Sequence, residues 1–410
     1  MLRWSGNDCH ARAAALDDDA PARQGLTMPD MTSRAIKEPA GAAPWAPAEL
    51  LQSDGTTITC FEHQVPPSVA KELDQLYQHL HSSLLHYGVR RKAQQASTYI
   101  VRKEGKARVI LLFTRSDATI HVVNEMIDIE PEEIQRFAAF IFAKFASVDV
   151  ISFSLIGKEV GALHYPHHQY DGSEDIVLTL PATPDAYLAS MSPKMRRNIR
   201  YCLRMIARDN PSFRCETTFG DQINVQHVHD LIALKKSNIG AKNLKFGISD
   251  EEIAWMTTDA KPFAQVTVVI IDGKVCGGAI NLRVEDNFFG QIICYDPAYK
   301  KYSLGILCTY LTICDQISMG GVESHLCWGR YGYKYKLLGV QRDRASLDIY
   351  RSRTAYWRRA GVILARTVKT GVQDAKKRLL DMEREEGKIA SAGASVVRIL
   401  RKIKRSRSVT

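Results

Sequence analysis

Two phosphate-binding signatures are missing from this 410-residue chain: it has no G-x-x-x-x-G-K-[ST] loop and no G-x-G-x-x-G turn. Their absence excludes a P-loop nucleotidase and a dinucleotide-binding fingerprint. None of the nine cysteines stands in a C-x-x-C pair, which argues against a zinc site and a disulfide framework. Cys294, Cys308 and Cys314 lie in apolar runs and read as small buried thiols of a reducing compartment. No stretch reaches the roughly 20 apolar residues that a membrane span needs. The opening residues, with Arg3, Asp8 and Asp17-Asp18-Asp19, contain no long apolar run of a secretory signal. A cytoplasmic protein is expected. His164-Tyr165-Pro166-His167-His168 has a proline and no spaced partner, so it reads as a polar loop, and no metal site is expected.

What the chain does contain is a strand, a glycine-bearing turn and a helix in immediate succession. Asn287 to Tyr295 is β-rich, Asp296-Pro297 starts a polar turn, and Gly305 opens an apolar helix that runs to Met319 before Gly320-Gly321. The first amides of a helix lack partners within it, and the helix dipole is positive there, so the turn suits an anion. Lys300 and Lys301 stand beside it. Upstream, Gln265 to Ile271 reads as a buried strand, Asp272-Gly273 as a tight turn, and Lys274 to Arg283 as a second strand weakened at Gly277-Gly278. Val322 to Trp328 reads as a strand after the helix, parallel to Phe288–Tyr295 if the crossover has the usual hand. The result is an antiparallel meander feeding a β-turn-helix-β crossover.

Three segments resemble the GNAT acyltransferase superfamily, and more closely its bacterial CelD-like and Fem-type branch, which shares a BioF2-like acetyltransferase domain. They are Leu178-Thr179-Leu180-Pro181 through Ser192-Pro193-Lys194-Met195-Arg196-Arg197-Asn198-Ile199-Arg200, then Asp296-Pro297 through Tyr302-Ser303-Leu304-Gly305, then Gly329-Arg330-Tyr331-Gly332-Tyr333-Lys334. The chain departs from the family pattern at Leu304, where proline is usual. The repeat Tyr333-Lys334-Tyr335-Lys336 also leaves two registers for the Tyr-Lys pair. The resemblance implies an α/β (α+β) fold of two tandem GNAT-like units, each a mixed twisted sheet flanked by helices. It implies acyl-CoA, as acetyl-CoA, held by Ile293, Tyr295, Lys300, Lys301, Tyr302, Ser303, Leu304, Gly305, Ile306 and Leu307. The Ser303-to-Leu307 amides serve as the cradle. Tyr333 is expected to protonate the leaving thiolate, Asp296 to act as base or amine anchor (or merely to cap its turn), and Arg330, Lys334 or Lys336 to hold an acidic acceptor. An amino sugar or nucleotide sugar of surface polysaccharide is the implied acceptor class. A Fem-type aminoacyl-tRNA-dependent transferase and a non-catalytic GNAT-fold scaffold are the alternatives.

Along the chain, residues 1–47 are rich in Ala, Pro and Asp without periodicity and read as disordered, with Met28 or Met31 as possible starts. Residues 48–212 form the first unit. In it Ser68 to Tyr87 is a helix, Ser97 to Val101, Val109 to Arg115, Thr119 to Val123 and Val148 to Leu155 are strands, and Ile134 to Phe145 is an amphipathic helix. Ser192-Pro193 starts a linking helix to Arg208 whose basic face, with Arg196 and Arg197, is either a solvated surface or a rim for an anionic substrate. Residues 213–350 form the acyl-CoA-binding unit and 351–410 a basic helical tail. That tail has 17 Lys and Arg against 5 Asp and Glu, a net of +12, which leaves −2 for the rest of the chain's +10. Val397 to Arg405 alternates apolar and basic residues, which reads either as a solvated, frayed helix or as a contact for an anionic membrane surface, more than for a nucleic acid.

Overall fold

Long β-branched runs become strands wherever turn chemistry separates them, and amphipathic stretches between them become the covering helices. The computed structural model describes residues 2–5, 48–51, 55–158, 160–241, 243, 245–368 and 370–371. The first half contains strands β1 (Leu2–Ser5), β2 (Ala48–Leu51) and β3 (Thr56–Phe61), then helices α1 (Val69–Tyr77) and α2 (Tyr87–Ala93). A meander follows of β4 (Ser97–Lys103), β5 (Lys106–Ser116) and β6 (Thr119–Val122), then helix α3 (Pro131–Lys144) and strands β7 (Val150–Gly157) and β8 (His167–Thr179). Helices α4 (Pro184–Ser190) and α5 (Pro193–Asp209) lead to β9 (Arg214–Phe219), α6 (Val225–Gly240) and α7 (Asp250–Thr257). The second meander is β10 (Ala264–Ile271), β11 (Lys274–Val284) and β12 (Asn287–Tyr295), followed by α8 (Leu304–Ser318) and β13 (Glu323–His325). The short helix α9 (Gly332–Lys336), β14 (Val340–Tyr350) and α10 (Arg353–Arg358) come last.

All fourteen strands join one sheet in the order β1-β9-β10-β11-β12-β13-β8-β14-β7-β6-β5-β4-β3-β2. Each half repeats one motif. The β4-β5-β6 meander crosses through α3 to β7, parallel to β6, and the β10-β11-β12 meander crosses through α8 to β13, parallel to β12. The two units then exchange their last strands. β8, which follows the first crossover, pairs with β13 of the second, while β14 pairs with β7 of the first. β8 and β14 pair antiparallel at the middle of the sheet. Helices cover both faces. In the second half α4, α5 and α8 bury one face and α6 and α7 the other. In the first half α3 covers one face while Val69, Leu73 and Val89 of α1 and α2 cover the other.

Four sequence expectations change. Leu2–Ser5 is a strand on the free edge of β9, where alternating apolar and polar residues extend the sheet; the rest of 1–47 lies outside the described residues. The single helix expected over 68–87 stops at Tyr77, because Gln78 takes a left-handed backbone (φ 48°) and turns the chain inward. His79 and His81 enter the interior as a result. His167 and His168 start β8 instead of lying in a loop. The irregularity expected at Gly277-Gly278 falls next door, where the β10–β11 register shifts beside Cys276. Gly278 itself is needed for close strand approach, since a Cβ there would lie 2.1 Å from Thr267 O. In the tail, residues 360–368 are helical, and Arg366 pairs with Asp348 of β14 at 2.7 Å. The basic end 397–405 lies outside the described residues. Among the described residues no helix is long and apolar enough to cross a membrane.

Candidate functional site

The second crossover builds an opening in the sheet. β12 and β13 pair only through Asn287↔Glu323, Phe288↔Ser324 and Phe289↔His325. Beyond that point they part, so Gly290 to Tyr295 loses its neighbour on one side. The β11–β12 register shifts between Ile280 and Asn281, leaving Gln291 as an extra residue on β12 just past the fork. Asp296 N–H donates to Cys276 O at 2.7 Å. Given the antiparallel alternation, this turns the backbone groups of Ile293 and Tyr295 away from β11 and into the fork. Their carbonyls are occupied: Lys235 Nζ donates to Ile293 O at 3.0 Å and Asn238 Nδ2 to Tyr295 O at 2.9 Å, both from α6. Among the described residues, the outward N–H groups of Ile293 and Tyr295 have no hydrogen-bond partner.

The turn after β12 differs from its expected form. Asp296 caps a 3₁₀ turn over Pro297–Tyr302, its Oδ1 accepting from Ala298 N–H at 2.9 Å. The structure thus gives this carboxylate the capping role. Ser303 N–H is bonded to Lys300 O, and the Ile306 and Leu307 amides to Ser303 O. Of the five amides expected as a cradle, Leu304 and Gly305 alone stand outside this bonding. Gly305 is required for a reason the sequence did not suggest: a Cβ there would lie 2.8 Å from the Tyr295 ring, which rests on the helix mouth. Leu304 is fully buried and fills the core beneath. Lys300 is exposed, whereas Lys301 reaches Asp209 Oδ2 at 3.4 Å and lies over the Tyr302 ring. The buried Tyr302 donates to the same Asp209 oxygen. The mouth is therefore framed by β12, the 3₁₀ turn and the end of α5.

The expected acceptor residues separate. Lys334 is almost fully buried, and its Nζ donates to the carbonyls of Leu326, Cys327 and Trp328 at 2.6, 2.9 and 2.7 Å. It is a structural clamp, which corrects its reading as a substrate contact. Burial lowers its pKa. Lys336, one position from the alternative tyrosine, is exposed. Arg330 Nε lies 3.6 Å from Glu174. Arg196 Nη1 donates to Ala189 O and Met191 O at the end of α4, a capping role in place of a substrate rim, while Arg197 is exposed. Tyr333 packs partly buried against the second-half core and stacks on Tyr331, and burial pushes its hydroxyl up to about 12.

Beside the fork lies a cluster that sequence reasoning missed. Asp175 of β8 receives His325 Nδ1 of β13 at 2.6 Å and His79 Nε2 at 3.4 Å, both on Oδ2. His325 Nε2 stands 3.3 Å from Glu323, which is bound by Arg342. The Phe289 ring stacks on His325 at 4.2 Å. Burial opposes a charge on His325, but its bonds to Asp175 and Glu323 outweigh it and raise its pKa. The Asp175 carboxyl, which burial alone would raise, is held well below the ordinary carboxylate range by the two imidazoles. Burial brings His79 down to about 4 against the pull of Asp175. Ligand atoms of His79, Asp175 and His325 lie within 4.8 Å of one another, near enough for one metal ion. The hydrogen bonds do not fit that use. His79 Nδ1 already accepts His81 N–H at 3.2 Å, so its proton sits on Nε2, aimed at Asp175. Both nitrogens of His325 face carboxylates. Asp175 Oδ2 is the acceptor that the two imidazoles share. Asp175 Oδ1 is buried without a partner, an arrangement that costs roughly 1–3 kcal/mol. The available signal was His79-Leu80-His81 inside an apolar-periodic stretch, polar residues where a helix core was expected.

Residues 193–337 match the family described as the acetyltransferase (GNAT) domain. The crystal structure of FemX superposes on 72% of this chain and 98% of its own, with TM-score 0.53 and 9% identity. The chain thus shares the fold of FemX, and its residues 193–337 carry the GNAT domain match. L-PGS from Bacillus licheniformis is similar over 75% of this chain and 98% of its own, with TM-score 0.47 and 14% identity. The C-terminal domain (DUF2156) of a putative lysylphosphatidylglycerol synthetase from Agrobacterium fabrum covers 70% and 93%, with TM-score 0.46 and 12% identity. No curated protein matches. The GNAT domain match spans α5 to α9, so it contains the fork, the helix mouth and the Lys334 clamp.

Proposed function

We propose that this GNAT-fold protein is an acyltransferase that moves an acyl group, as acetyl, from acyl-CoA to an amine. The observation that supports this most is the fork: outward amides of Ile293 and Tyr295 on a strand that has lost its neighbour, leading into a helix mouth with free amides at Leu304 and Gly305. Amides on an open strand edge align a donor's carbonyls, and one of them near the acyl carbon stabilises the oxyanion. The mouth favours the diphosphate, with Lys300 free to add charge. Tyr333, kept protonated by burial, is the residue we assign to return a proton to the departing thiolate. An amino sugar or nucleotide sugar of surface polysaccharide is the acceptor class we favour.

A second reading rests on Lys235 and Asn238. They already occupy the outward carbonyls that would accept from a pantetheine's amides, whereas an aminoacyl ester on tRNA asks nothing of those carbonyls. Thermal-shift measurements with acetyl-CoA, free CoA and aminoacyl-tRNA separate the two. Stabilisation by acetyl-CoA and CoA supports the first; stabilisation by aminoacyl-tRNA alone supports the second. Trp357, Val362, Leu364 and Val368 are exposed on the described part of the tail, which supports peripheral contact with an anionic membrane surface. Intact protein is then expected to co-sediment with anionic vesicles, and protein truncated after Tyr350 to remain in the supernatant.

A further inference from the structure

A groove with about 330 Å³ of room separates helix α2 of the first half from helix α7 of the second. That is the size class of a small-molecule site. Tyr87, Arg90 and Arg91 share one face of α2, at positions i, i+3 and i+4. Glu251, Trp255 and Asp259 recur every fourth residue along α7 and just past its end, and they form the facing wall. The charges are sorted by wall. Both guanidiniums stand on the α2 side and both carboxylates on the α7 side, so these four groups sum to zero. Two contacts cross the groove: Tyr87 OH donates to Glu251 Oε2 at 2.8 Å, and Arg90 reaches Asp259 Oδ2 at 3.0 Å. Arg91 lies 5.9 Å over the Tyr87 ring and has no carboxylate partner among the described residues. Trp255 is only 6% exposed, with its ring 5.8 Å from that of Tyr87. Its indole N–H is buried without an acceptor among the described residues.

From this arrangement we infer that the groove binds a free α-amino acid with an aromatic side chain. A ligand of zero net charge, its two charges held apart, matches a lining of the same kind. Its carboxylate pairs with Arg91, the guanidinium not already engaged, and its ammonium with Glu251 on the facing wall. Its ring lies against Tyr87 and Trp255, and a ligand oxygen seated beside the indole gives that stranded N–H an acceptor. A nucleotide suits the groove less well, because its phosphates would face Glu251 and Asp259 with nothing to offset the repulsion. The Arg90–Asp259 pair, about half exposed on both sides, yields to a guest at little cost. None of these residues belongs to the fork or the helix mouth, so the inference stands apart from the acyltransferase reading. The two walls come from different halves of the sheet, and a bound amino acid ties one to the other.

The test is calorimetric titration of the full chain with L-phenylalanine, hydrocinnamate and phenethylamine. L-Phenylalanine is expected to bind saturably. Hydrocinnamate lacks the ammonium and phenethylamine the carboxylate, and each is expected to bind at least tenfold more weakly. Arg91→Glu changes an exposed position and is expected to weaken L-phenylalanine at least tenfold with an unchanged circular dichroism spectrum. Glu251→Gln keeps an acceptor for Tyr87 but removes the charge, and the same loss is expected. Hydrocinnamate binding as tightly as L-phenylalanine would make the groove a plain anion site and overturn the inference. Equal affinity for phenethylamine, wild-type affinity in either variant, or no saturable binding by the wild type overturns it as well.

Discussion

Lys334 holds three carbonyl oxygens of the loop above it with a single buried ammonium, and this arrangement fixes where Trp328 sits. A buried cation is tolerated there because each N–H has an acceptor. Removing the ammonium strands those acceptors without water. Lys334→Met is therefore expected to lower the unfolding free energy by roughly 2–4 kcal/mol, measured by denaturant unfolding. An unchanged midpoint would remove the clamp from the account. Gly305 teaches a complementary lesson. Its glycine is legible in the sequence, but the close packing of the Tyr295 ring that also requires it leaves no trace in local spacing.

Helix α4 ends against α5, and Arg196 supplies the capping donors for the carbonyls of Ala189 and Met191. Arg196→Ala is expected to cost about 1 kcal/mol by losing those bonds, whereas exposed Arg197→Glu should stay within about 0.5 kcal/mol. Thermal melts of the two variants check the contrast, and equal losses would contradict it. Elements whose order is set by neighbouring residues were legible. The run Gln265–Ile271, the turn at Asp272-Gly273 and helix α8 fall where periodicity and turn chemistry put them. β8 and β14 were not. β8 carries Asp171, Glu174 and Asp175 along a strand whose identity depends on pairing with β13 and β14, far away in sequence. The catalytic-looking cluster was hidden for the same reason, since His79, Asp175 and His325 meet only after the two units exchange strands.

Strand exchange makes the middle of the sheet, with its buried titratable groups, common to both halves. That has a consequence for stability. Burial brings His79 and His86 down to about 4 and holds His81 well below its ordinary value, with the Lys92 ammonium adding to the effect on His86. In the unfolded chain these histidines titrate near roughly 6.5. Between about pH 6.5 and 4 the unfolded state therefore binds protons that the folded state refuses, and stability falls as pH falls, by roughly 1.4 kcal/mol per pH unit for each group. His325, with its raised pKa, acts oppositely: its contribution is complete below about 6.5 and fades as pH rises. Glu323, lowered to about 2 by its bond to His325 and then by Arg342 against burial, contributes above the ordinary carboxylate range and loses that contribution only under stronger acid. Calorimetric melts should show Tm dropping steeply from pH 7 to pH 5, and His81→Phe should flatten that slope. A level Tm across that range would contradict the assignment.

The donor edge is the claim on which the functional account stands, and a single proline tests it most directly. The Ile293 N–H faces the fork and makes no bond to β11, so Ile293→Pro deletes that donor while leaving the β11–β12 hydrogen bonds in place. Isothermal titration with acetyl-CoA is predicted to show binding in the wild type and at least a tenfold weaker affinity in Ile293→Pro of unchanged circular dichroism. Equal affinity in the two proteins, or no heat of binding in the wild type, would contradict it.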